Sequence, residues 1–146
     1  MATMSLAGNI RRSPLPIQPG ETPAARRRVS VLGATGSVGC STLELIATNP
    51  AAYDVVALTA HRNAAKLAGL AIAHRAEIAV IADPAYYAEL KSLLAGHGIE
   101  AAAGPEALVE AAGRPADWIM AAIIGAAGLR PTRAAVRSKT CVALAN

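Results

Sequence analysis

Phenylalanine is absent from this 146-residue chain, which carries one tryptophan and three tyrosines as its only aromatics. That shortage argues against a base-stacking nucleic-acid platform, which needs several exposed rings. Two cysteines, Cys40 and Cys141, are too few for a framework of bridges and point to a reducing compartment. The longest apolar runs, such as residues 119–127, are far short of the roughly 20 residues a membrane-spanning helix needs. Negative charge is scarce at the start: residues 1–28 hold five arginines (Arg11, Arg12, Arg26, Arg27, Arg28) against Glu21 alone. The remaining nine basic and nine acidic residues cancel, so the body of the chain is neutral. A neutral body lacks the basic face that nucleic acid requires, so neither a nucleic acid nor a membrane is an expected partner. His74 and His97 have no Cys, Asp or Glu at ligand spacing, and the scattered acids form no pair suited to Mg²⁺ or Mn²⁺; no metal ligands are expected in this chain.

What the chain has in quantity is apolar residues, 53% of the total, with alanine dominant, enough to bury the core of one domain. Residues 1–27 stand apart as a flexible N-terminal extension, rich in proline, glycine and arginine and without periodicity. The Arg11-Arg12 pair lacks the apolar segment of a secretion signal, so a cytoplasmic location is expected, with a plastid or mitochondrial leader as the alternative.

The organising stretch is VSVLGATGSVG, residues 29–39. Residues 29–32 form a short apolar, β-branched run that reads as a buried strand. It empties into Gly33, Gly36 and Gly39, and an amphipathic helix with Val38, Leu43, Leu45 and Ile46 runs on to the Asn49-Pro50 stop. A strand, a glycine turn and a helix in that order make a nucleotide-phosphate site. Gly33 permits the sharp turn, Gly36 the approach of a pyrophosphate, and Gly39 close packing of helix on strand. Ser37 is expected at or near the helix N-cap, where its hydroxyl meets free N–H groups or a phosphate.

Strand and helix then alternate. Strands are expected at 54–60, 77–82, 99–103, 117–124 and 140–145, and helices at 63–73, 83–95 (opened by Asp83-Pro84), 105–112 and 131–137, with a second glycine turn at 125–128. Strands apolar on both faces and separated by helices predict an α/β fold: a doubly wound, mainly parallel sheet of Rossmann type, spanning residues 28–146.

The end of the second strand in such a fold selects the cofactor. It reads His61-Arg62-Asn63, with no acid to hold the ribose hydroxyls of NAD and with a guanidinium suited to the 2′-phosphate of NADP. Asn146 follows the last strand and is expected over the cofactor crevice as an amide donor or acceptor. Cys40, in the first turn of the helix, reads as a small packed thiol, and Cys141 as a core residue inside a strand. No catalytic residue is recognisable.

Three stretches together, residues 32–50, 55–63 and 120–146, resemble 1-deoxy-D-xylulose 5-phosphate reductoisomerase, and the resemblance covers that family's N-terminal NADPH-binding domain. It implies NADPH as cofactor, with Thr35, Gly36, Ser37 and Val38 in the pyrophosphate loop. By the same resemblance His61, Arg62 and Asn63 lie around the 2′-phosphate, and Asn146 is a cofactor contact. Many family members have glycine where His61 stands, which shifts that contact toward the backbone. The family rearranges and reduces 1-deoxy-D-xylulose 5-phosphate to 2-C-methyl-D-erythritol 4-phosphate in non-mevalonate isoprenoid biosynthesis, as a homodimer requiring a divalent metal. Its Lys-Glu pair after the asparagine, its metal carboxylates and its catalytic and C-terminal domains are missing here, so this chain is expected to bind NADPH without turnover. Two alternatives are a semialdehyde-dehydrogenase-like domain, for which Cys141 is poorly placed, and a stand-alone NADP-binding module.

Overall fold

A computed structural model describes residues 26–138 and 140–145; most of the N-terminal extension and Asn146 lie outside the described residues. Six strands form one sheet: β1 (Arg27–Leu32), β2 (Tyr53–Ala60), β3 (Ile78–Ile81), β4 (Glu100–Ala103), β5 (Trp118–Ala121) and β6 (Cys141–Leu144). Their order is β4-β3-β2-β1-β5-β6, and all five pairings are parallel. Helices α1 (Ser37–Ala47), α2 (Ala64–His74) and α3 (Tyr87–Leu94) link the strands on the β1-to-β4 side, and α4 (Pro105–Gly113) and α5 (Leu129–Arg137) those leading to β5 and β6. The chain order reverses between β2–β1 and β1–β5. This is the doubly wound arrangement, with its switch point at β1.

Alternation along the strands sends side chains to both helix layers. Val29 and Val31 pack with Leu43, Ile46, Leu67 and Leu90 from α1, α2 and α3, whereas Leu32 joins Ala112, Ile119 and Ala135 beneath α4 and α5. From Val29 onward both faces of β1 are thereby buried, which is why residues 29–32 are apolar with only Ser30 interrupting them. The register of β1 on β2 shifts between Val29↔Val55 and Val31↔Leu58. The extra residue lets Val56 and Ala57, neighbours in sequence, pack in the same cluster with Leu108 and Ala111 of α4. It also brings Thr59 alongside the end of β1, where the loop begins.

Four expectations are corrected in detail. The apolar run 117–124 is a strand only over Trp118–Ala121, because β1, its partner, ends at Leu32 where Gly33 turns away. The segment after Asp83 opens with a 3₁₀ turn, Pro84–Tyr86, before α3 begins. Cys141 is exposed, not core, because it opens β6 at the edge of the sheet and no described element covers it. β1 itself starts two residues earlier than the apolar pattern shows. Arg26 and Arg28 latch the amino ends of the strands: Arg26 pairs with Asp54 at 2.9 Å, Arg28 with both oxygens of Glu77 at 2.9 and 3.3 Å, and the Arg28 N–H donates to Asp117 at 2.8 Å. These exposed pairs contribute at most about 1 kcal/mol each.

Candidate nucleotide site

The carboxyl ends of β1, β2, β3 and β5 face a crevice of about 320 Å³, lined by Gly33, Thr35 and Gly36 after β1, by Thr59 and His61 at the end of β2, and by Ala122, Ile123 and Ile124 after β5. A larger recess of about 590 Å³ lies at the amino ends of the strands, but Arg26, which borders it, is already paired with Asp54. In an open parallel sheet, ligands collect at the carboxyl ends beside the switch point, where α1 begins.

The glycine loop is built as the spacing predicts. Gly33 has φ +83°, and a Cβ there would lie 2.6 Å from the Ala122 carbonyl oxygen. A Cβ on Gly39 would be driven into the Gly33 carbonyl oxygen and to 2.7 Å from the Ala34 Cα. The fold requires glycine at both positions. Gly36 differs: its backbone (φ −76°, ψ 171°) suits any residue, and a Cβ would meet only the Gly33 oxygen at 3.6 Å. Nothing inside the chain demands glycine there. The open side of Gly36 is the side from which a phosphate would approach, so the loop fits a pyrophosphate.

Gly36, not Ser37, is the N-cap of α1, which has no side-chain cap. Ser37 is already inside the helix, and the extended residue before it carries no side chain to fold back over the first turn. The first-turn N–H groups of Ser37 and Val38 are therefore left for solvent or an anion, and the positive end of the helix dipole adds to their pull. Thr35 precedes the cap, half-buried; Ser37 and Val38 are exposed. Cys40 is half-buried, its thiol 3.5 Å from the Ala34 carbonyl oxygen, consistent with a packed thiol.

At the end of β2, His61, Arg62 and Asn63 are all exposed. The His61 carbonyl accepts from the Asp83 N–H at 3.0 Å, so its backbone is held to the end of β3. Asn63 is the N-cap of α2, its Oδ1 accepting from the Lys66 N–H at 3.1 Å, which leaves its amide nitrogen as a donor. Arg62 Nε donates to Asp83 Oδ2 at 3.2 Å, while Asp83 Oδ1 accepts from the Ala85 N–H at 3.0 Å and caps the 3₁₀ turn. Asn146 lies outside the described residues.

Three residues that sequence reasoning did not assign to the site also border it. Thr59 Oγ1 accepts from the Gly33 N–H at 2.9 Å and its carbonyl accepts from the Ala34 N–H at 2.7 Å, clamping the start of the loop. Lys66 Nζ donates to the Thr35 carbonyl at 3.0 Å. Asp83 anchors Arg62. Of the three, only Asp83 stood out in sequence, as the cap that opens a helix, and none was read as part of the site. Among the described residues, no group of three or more His, Cys, Asp and Glu side chains is placed to hold a metal ion, so no chemistry is derived through one here.

Fold and site together define a Rossmann-type dinucleotide-binding domain. The family model for 1-deoxy-D-xylulose 5-phosphate reductoisomerase matches residues 29–146. The chain belongs to the 1-deoxy-D-xylulose 5-phosphate reductoisomerase family. It is 63% identical over 120 residues to the enzyme of that name from Rhodospirillum centenum, covering 82% of this chain and 30% of the relative. The Zymomonas mobilis reductoisomerase solved in complex with NADPH superposes with a TM-score of 0.82 at 60% identity, over 83% of this chain and 32% of that one. A reductoisomerase in complex with NADPH, fosmidomycin and magnesium superposes with a TM-score of 0.78 at 37% identity, over 82% of this chain and 30% of that one. The chain thus spans about 30% of the length of the curated relatives it matches.

Proposed function

We propose that this chain is the NADPH-binding domain of a 1-deoxy-D-xylulose 5-phosphate reductoisomerase. The observation that carries the reading is an uncapped α1 N-terminus, open at Gly36, on a crevice that His61 at the end of β2 also lines, with the exposed Arg62 guanidinium next in sequence. The free N–H groups of Ser37 and Val38, with the Thr35–Gly36 turn, would hold the pyrophosphate. Arg62 would take the adenosine 2′-phosphate through its terminal nitrogens, Asp83 having engaged only Nε, and Asn63 would add its amide donor beside it. His61 would contribute by its place at the rim. Asn146 is proposed as a further cofactor contact on the family resemblance. The apolar side of the crevice, Ile123 and Ile124, would shield a ring from water.

NADPH, when bound, supplies the hydride for the reduction that makes 2-C-methyl-D-erythritol 4-phosphate from 1-deoxy-D-xylulose 5-phosphate. In the full-length protein the sugar phosphate, the divalent metal and the partner of a homodimer belong to domains beyond this chain, and the domain alone binds without turnover. Calorimetric titration with NADPH and NADH, on the chain and on Arg62→Ala, tests the reading. Preference for NADPH that falls with the arginine supports it; absence of binding by either nucleotide sinks it.

A further inference from the structure

Lys66 occupies a costly position in the free protein. It is the third residue of α2, at the positive end of the helix dipole, in a first turn with no acidic residue. Among the described residues its ammonium has no carboxylate partner within ion-pair distance and instead donates to the Thr35 carbonyl, 31 residues away in the glycine loop. Arg62, by contrast, is neutralised in place by Asp83, itself fixed by the Ala85 N–H. The Arg62–Asp83 pair sums to zero, and the net positive charge between the pyrophosphate loop and the end of β2 is that of Lys66.

Resting on the NADPH reading above, we infer that Lys66 is a specificity-determining residue: the second cation, with Arg62, that recognises the 2′-phosphate ester on the adenosine ribose. An exposed ammonium on a four-carbon stem, tethered only to a carbonyl, swings to a phosphate oxygen without breaking an ion pair. A dianionic phosphate there also offsets the unfavourable placement of a cation at the positive end of the helix dipole. The cost in the free protein becomes affinity in the complex.

The test compares NADPH and NADH binding to the 146-residue chain, to Lys66→Gln and to Lys66→Arg, with NADH followed by competition and folding checked by thermal melting. The NADPH-to-NADH affinity ratio is expected to fall roughly tenfold in Lys66→Gln, the worth of one exposed charge-assisted hydrogen bond, and to be retained in Lys66→Arg. NADH affinity should not change. An unaltered ratio overturns the inference, whether neither nucleotide loses affinity or both lose it equally through a loosened Thr35 loop; it leaves the NADPH reading standing. Binding of neither nucleotide by the unsubstituted chain overturns both.

Discussion

The amide of Gly33 and the hydroxyl of Thr59, 26 residues apart in sequence, meet at 2.9 Å and fix the point where β1 becomes the glycine loop. A residue with φ +83° has left the strand ladder, so its N–H needs a partner from elsewhere, and the one-residue register shift in β2 supplies it. Thr59→Val keeps the shape and removes the acceptor. It should cost about 1–2 kcal/mol in urea denaturation, with Thr59→Ser restoring most of the loss. Equal stability of the valine variant would show that the hydroxyl does not hold the loop.

Gly36 and Gly39 separate folding from binding. Gly39→Ala forces a Cβ into backbone atoms of Gly33 and Ala34 and should destabilise the domain by about 3 kcal/mol. Gly36→Ala meets only ordinary contact and should leave the melting curve within about 0.5 kcal/mol of the parent. Nucleotide affinity should nevertheless drop at least roughly tenfold, since the methyl group occupies the approach to the first-turn N–H groups. An alanine at 36 that binds NADPH as well as glycine would exclude this side of the loop as the phosphate seat.

Ser30 lies in the centre of β1, fully buried, and its Oγ finds no hydrogen-bond partner among the described residues. A hydroxyl desolvated without compensation is a cost, not a contribution. Ser30→Ala is therefore expected to be neutral or to stabilise by up to about 1 kcal/mol. A loss of more than that in equilibrium unfolding would mean the hydroxyl is bonded after all.

His74 closes α2, and burial lowers its pKa from the ordinary value of 6.5. The unfolded chain then binds a proton more readily than the folded one, so the stability this residue confers is complete above pH 6.5 and is lost as pH falls below it. Unfolding curves between pH 7.5 and about 5 should show His74→Gln losing less stability on acidification than the parent. Parallel pH profiles for the two proteins would contradict the assignment.

The fold was legible because a parallel sheet covered on both sides writes itself as apolar strands between amphipathic helices, and glycine or proline punctuation, as at Gly33, Pro50, Pro84 and Gly125, marked the joins. The glycine loop was legible because Gly33 and Gly39 answer to local geometry. Thr59, Lys66 and Asp83 were not, since their roles rest on partners 26, 31 and 21 residues away, and no local pattern records such a meeting. The same holds for Cys141: a strand sequence states that it pairs, not whether it lies at an edge. The run 117–124 misled for the converse reason, its apolar residues continuing past the point where β1 stops offering a partner.

The placement of β1 between β2 and β5 carries a consequence for how the domain assembles. Joining β1 to β2 closes a short loop through α1, but joining it to β5 brings together segments such as Arg28 and Asp117, 89 residues apart, at a larger entropic cost. The sheet from β1 to β4 can therefore collapse on its own helices first, with β5 and β6 docking last. The crevice spans that final seam, because its lining comes from both parts: Gly33 and Thr59 from one, Ile123 and Ile124 from the other. A nucleotide seated there would act as a clasp across the slowest joint of the fold, holding together the two parts of the chain that find each other last.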